Sequence, residues 1–199
     1  MALGKYVFYM GAWYQPNQLP PTSFICGFCG NKVASDKGYC ATSSPNGGSI
    51  VASIYICPAC QGPTTFTEVR QQLPGIAPGE PVEHVPENLN KLYNEARASA
   101  GIEAFTATGL ICRKMLMHIA VEQGASPGAN FVSYVEYLSA QNFIPPNGKG
   151  WVDHIRTLGN EANHEIRFVS RDEAFMLIEF IQMLLRFIYD FPAKVPGKP

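Results

Sequence analysis

Two Cys-x-x-Cys pairs, Cys26-Gly-Phe-Cys29 and Cys57-Pro-Ala-Cys60, constrain this 199-residue chain more than any other feature in it. Each pair can turn two thiolates toward one ion, and two pairs complete a tetrahedral set of four sulfurs, the donor set of structural zinc. Apolar, β-prone residues lead into both turns, SFI before Cys26 and SIYI before Cys57, and Gly30 and Gly62 follow where the chain must curl back. The pattern predicts a zinc ribbon on two hairpin knuckles, with Cys26, Cys29, Cys57 and Cys60 as ligands. Four thiolates fill the coordination sphere, so the expected role of the zinc is to hold a small domain together rather than to perform chemistry. Iron in a rubredoxin-like site is the competing occupant. A thioredoxin-like motif would need a single pair in a βαβ context, and none is legible. Cys40, in KGYCAT, reads as a spare buried thiol or a substitute ligand, and Cys112 as a core residue of a helix.

Beyond residue 72 the texture changes. QQLPGIAPGEPVEHVPEN (71–88) carries four prolines and no helical period, so residues 73–88 read as an extended linker, docked in part if Ile76 and Val82 find apolar contacts. The expected organisation is a zinc-ribbon domain over 1–72, the linker, and a helical bundle over 89–199. Five helices are expected. The first begins at Pro86 and runs to about Ala100. The second covers roughly 102–123, with Ile102, Phe105, Gly109, Cys112, Leu116 and Ile119 on one seam. The third holds 131–141 and the fourth about 151–165. The fifth opens with a Ser170/Glu173 capping box and ends before Pro192. The fold class is therefore mainly α with a small β zinc ribbon. Near the start, Tyr6, Phe8 and Met10 alternate as in a short strand, and nothing there resembles a secretory signal. The most apolar stretch, 174–191, is interrupted by Glu179, Gln182 and Arg186, which predicts a buried helix, no membrane contact and a cytoplasmic protein. Its apolar residues leave only a narrow polar strip, which predicts a homodimer through the bundle. The formal net charge of −1 argues against a chain-wide basic nucleic-acid footprint.

The fourth helix carries the second candidate site. At about 100° per residue, Trp151, Ile155, Leu158, Gly159, Ala162 and Ile166 share one arc, and Asp153, Arg156, Asn160, Asn163 and His164 share the other. Solvated helix faces favour Lys, Glu and Gln, whereas asparagine is a poor helix former. The polar arc reads either as an interhelical hydrogen-bond network or as a site for a phosphate-containing ligand. In the second case Arg156 pairs with phosphate and His164 moves a proton.

PENLNKLYNEA, the Arg113 helix ATGLICRKMLMHIA, and IRTLGNEANHE followed by an apolar last helix resemble the domain-of-unknown-function family 4145 over about residues 86–191. That family is similar to the HEPN superfamily of helical bundles. The resemblance implies a HEPN-like bundle of about five helices, often dimeric, in a group where many members are metal-independent ribonucleases with an Arg-x4–6-His motif at the dimer interface. Here that spacing would need arginine at 157, 158 or 159, where Thr157, Leu158 and Gly159 stand; Arg156 gives Arg-x7-His. Asn160 and His164 do match an Arg-Asn-x3-His form. His118, near Lys114, and His154 are the alternative histidines. Two expectations follow. One is a zinc-binding interaction or nucleic-acid- or nucleotide-binding protein, with RNA, a nucleotide or a protein as partner and no efficient catalysis. The other is a ribonuclease, toxin-like or directed against phage, using Arg156, Asn160 and His164 as catalytic residues.

Overall fold

The computed structural model describes residues 12–145, 148, 150–153, 155 and 168–196. The expected strand around Tyr6–Met10 lies outside them. The chain divides into two compact units, Met1–Ala77 with Gly101–Glu103, and Pro78–Ala100 with Ala104–Pro199.

The first unit is a five-stranded antiparallel meander, β1 (Asn17–Ile25), β2 (Lys32–Thr42), β3 (Ile50–Ile56), β4 (Pro63–Thr67) and β5 (Gln72–Leu73), in the order β1-β2-β3-β4-β5. Neighbours in sequence are neighbours in the sheet, so each Cys-x-x-Cys turn joins two paired strands. Ile25 faces Lys32 across the first knuckle and Ile56 faces Pro63 across the second. Pro20 and Pro21 cannot donate to a ladder, and they sit on edge strand β1 where its register with β2 shifts between Gln18 and Thr22. The buried core is small: Leu19, Phe24, Tyr55, Cys26 and Cys57, with Phe66 set edge-on to Phe24 at 5.6 Å and to Tyr55 at 5.9 Å. A core of this size calls for a covalent or metal staple.

The second unit contains α1 (Glu87–Gly101, all but its last residue), α2 (Phe105–Glu122), α3 (Phe131–Ala140) and α4 (Arg171–Leu185). A π-helical turn, Arg186–Asp190, and the short α5 (Phe191–Ala193) continue α4. Residues 150–153 and 155 are also helical. Asn130 caps α3 by accepting from the Ser133 N–H at 2.9 Å. The capping box of α4 is present: the Ser170 N–H donates to Glu173 at 2.8 Å, and the Glu173 N–H donates to the Ser170 hydroxyl. α2 packs on α3 and α4 through Cys112, Met115, Leu116 and Ile119, all fully buried. Gly109 lies on this seam because a Cβ there would stand 2.9 Å from the Val169 side chain. Ile102 does not join the seam. Glu103 adopts a left-handed φ of 64°, which breaks the helix before Phe105 and leaves Ile102 63% exposed. Nor does the last helical segment stop before Pro192. The π turn interrupts the α-helical ladder, and Pro192 falls in the first turn of α5, where proline is tolerated.

Part of the proline-rich stretch is built into the helical unit. Arg97, 4% exposed, donates from Nε to the Pro78 carbonyl at 2.8 Å and from Nη2 to the Gly79 carbonyl at 2.7 Å. The buried Tyr93 hydroxyl donates to the Glu80 carbonyl at 3.0 Å, and burial pushes its pKa up to about 12. The Glu80 N–H donates to Gln182 at 2.7 Å, and Val82 joins the core, whereas Ile76 stays half exposed. Phe180 is buried against Trp151, their rings stacked at 5.8 Å, while Phe187 and Phe191 touch edge-on at 5.4 Å and remain 47% and 48% exposed. Among the described residues, no helix is long and apolar enough to cross a membrane.

Candidate metal centre

The two knuckles are built alike. Cys26 and Cys57 directly follow β1 and β3, and their N–H groups donate to the Asn31 and Gly62 carbonyls, each at 3.0 Å. Their own carbonyls accept from Gly30 N–H and Gln61 N–H, each at 2.8 Å. Each turn thus closes on the residue after its second cysteine, and both closing residues are left-handed, with φ of 73° at Gly30 and 61° at Gln61. Glycine adopts this conformation freely, but a glutamine does so at a cost. In the second knuckle the curl falls on Gln61 rather than on Gly62, a point no composition signal at Gln61 would reveal.

The turns face each other. The four sulfurs lie within 4.8 Å of one another, with Cys26 Sγ 3.7 Å from Cys60 Sγ and Cys29 Sγ 3.8 Å from Cys57 Sγ. Metal–sulfur bonds of about 2.3 Å in a tetrahedron set the sulfurs about 3.8 Å apart. The donor set and its spacing therefore fit one tetrahedral metal ion, and an ion held by all four would have no open position. Cys26 and Cys57 are buried, and Cys29 and Cys60 are half-buried. Burial pushes the Cys29 and Cys60 thiols up. At Cys26 burial acts the same way, but hydrogen bonds from the Cys29 and Phe28 backbone and from Cys57 and Cys60 outweigh it, and its pKa is lowered. The Gly62 N–H also reaches Cys60 Sγ at 3.4 Å. Cys40 stands outside this cluster and, contrary to the expected buried thiol, is exposed on β2. Cys112 is buried in α2, its thiol pushed up to about 12 by burial, and belongs to the core.

Arg156, Asn160 and His164, with Asn163 and His154, lie outside the described residues. Of the same helix, Ile155 is fully buried, Trp151 is half-buried and Asp153 is exposed. His118 is exposed on α2, 4.0 Å from Glu122. A further titratable cluster joins parts of the chain far apart in sequence. His84 Nδ1 lies 3.0 Å from the buried Asp190, and Lys194 Nζ lies 2.9 Å from Asp190 and 3.5 Å from Glu83. The Lys194 ammonium, then the His84 ring, hold the Asp190 carboxyl below its ordinary range. The Lys194 ammonium already supplies this cluster with a cation. Its members carry no sequence motif, because His84 and Asp190 meet only through the fold.

No curated protein and no solved structure matches the chain significantly. Residues 94–198, which take in the C-terminal half of α1 and every later described helix, match the family described as Domain of unknown function (DUF4145). Since the match spans more than half of the 199 residues, the chain belongs to the DUF4145 family.

Proposed function

We propose that the N-terminal unit is a zinc ribbon whose single ion is structural, and that the helical unit is a HEPN-like module that binds a nucleotide, RNA or a protein partner as a homodimer, without efficient catalysis. The sulfur spacing carries the metal part of this reading: 3.7 and 3.8 Å are the separations that zinc bonds of about 2.3 Å require. Four thiolates around zinc leave no position for water, which supports a scaffold role over a hydrolytic one. For the helical unit, family membership supports the bundle, and the exposed Phe187–Phe191 pair supports burial against a second copy. The Arg-x7-His spacing at Arg156 and His164 favours binding over cleavage, with Asn160 as a further polar contact.

Elemental analysis of the chain purified without chelator tests the first part, with about one zinc per chain expected. Iron in its place would colour the protein and replace zinc in the analysis. Light scattering tests the second, with a dimer expected for the parent and a monomer of unchanged helicity for Phe187→Glu. A parent chain that stays monomeric at tens of micromolar would contradict the homodimer.

A further inference from the structure

Beside the first knuckle, the chain that leaves β5 folds back against the metal loop. A Cβ added to Gly27 would stand 2.7 Å from the Gly75 carbonyl oxygen and 2.9 Å from the Pro74 carbonyl carbon, with the Pro74 oxygen closer still. Glycine is needed here for close approach. The strap is tied down by Gln72, whose Nε2 donates to the Ile25 carbonyl at 2.8 Å and to the Pro74 carbonyl at 3.1 Å. That one side chain thus bridges the end of β1, just before Cys26, to the segment lying over the Cys26–Cys29 loop. Pro58, the residue equivalent to Gly27 in the second knuckle, is exposed, as is Ala59. The second knuckle is held from outside by a Trp13 indole bond to the Gln61 carbonyl at 3.0 Å.

We propose that Gln72–Gly75 is a retaining strap for the metal: by lying against the Cys26–Cys29 loop it slows the opening of that loop and so sets how fast the bound ion leaves. The proposal rests on the zinc reading above. For an ion held by four sulfurs to escape, at least one knuckle must swing outward. With the strap seated, the Gly27 backbone has no room to move toward Pro74 and Gly75.

The test is the rate at which the full-length, zinc-loaded chain gives up its ion to an excess of a chromophoric chelator. Gly27→Ala puts a methyl where the strap lies, and Gln72→Ala removes both tethering bonds. Gln71→Ala is the control, since its amide reaches Glu103 at 3.2 Å rather than the knuckle. Each tethering variant should bind one zinc and release it about fivefold faster or more, the scale of one lost net hydrogen bond. Gln71→Ala should release at the parent rate. Parent-like release from both tethering variants would overturn the strap, as would equal acceleration in Gln71→Ala, which would indicate general loosening. Should Gly27→Ala fail to fold, Gln72→Ala decides by the same criterion. A strap that fails alone leaves the zinc content at one per chain, whereas a parent chain without zinc removes the metal reading and the strap together.

Discussion

Replacing Arg97 with methionine should unfold the helical unit far more readily than its place as one polar residue of α1 suggests. The side chain is 4% exposed and makes three hydrogen bonds, to the carbonyls of Pro78 and Gly79 and, at 3.2 Å, to the Asn94 side chain. A hydrogen bond to a charged group contributes about 1.5–3 kcal/mol. The two carbonyl bonds alone give about 3–6 kcal/mol, and the low end applies if the freed carbonyls regain water as residues 78–80 lift away. Methionine keeps the apolar stem, so little of the loss comes from packing. A loss of about 3 kcal/mol lowers the melting temperature of a unit of roughly a hundred residues by about 12 °C. Helical circular dichroism during thermal and urea unfolding reads the effect. Arg97→Lys should recover little, because an ammonium cannot reproduce the fork that spans two successive carbonyls. Proteolysis should at the same time cut the variant near residues 78–85. An Arg97→Met chain with an unchanged midpoint and no new cleavage would refute the claim that this stretch is part of the helical unit.

Three other outcomes are expected. Because Asp190 titrates below its ordinary 3.8 in the folded chain, its stabilising effect is complete above that value and is lost as pH falls through it toward the folded pKa; urea midpoints of the parent and Asp190→Asn should differ at pH 7 and converge below about pH 4. At the knuckles the signs should be opposite: Gly30→Ala, whose Cβ meets nothing within 4 Å, costs about 1 kcal/mol through its left-handed φ alone, while Gln61→Gly is neutral or stabilising by up to about 1 kcal/mol. Both are measured by unfolding of the zinc-loaded chain. RNA incubated without metal should show no cleavage beyond background, as the Arg-x7-His spacing of Arg156 and His164 leads one to expect. Cleavage that disappears in His164→Ala and Arg156→Ala with unchanged midpoints would establish the ribonuclease instead.

The parts legible in the sequence are those whose chemistry is local. Cys-x-x-Cys spacing places two thiols on one turn whatever surrounds it, and the serine and glutamate of the α4 capping box need only each other. The helical period likewise places Cys112, Leu116 and Ile119 in the core. Other features depend on contacts remote in sequence. Arg97 reads as one more polar residue of an amphipathic helix until the carbonyls of Pro78 and Gly79 arrive to receive it. Gly27 reads as a flexible knuckle residue, although Pro74 and Gly75 are what exclude a side chain there. His84 and Asp190 have no shared pattern, and the left-handed backbone at Gln61 and Glu103 runs against the preference of both residue types. Pro192 reads as a helix stop because the π turn before it leaves no signature in hydrophobic spacing.

The central claim is that four cysteines hold one zinc and that this ion holds the N-terminal unit alone. Its most direct test is removal of the metal from the full chain by a strong chelator under reducing conditions, followed by amide hydrogen exchange resolved along the sequence. The account predicts loss of one zinc per chain and loss of protection across β1–β4, with α2 and α4 protected as before. Unchanged protection in β1–β4 after the ion has gone, or a chain that never carried zinc, would contradict it.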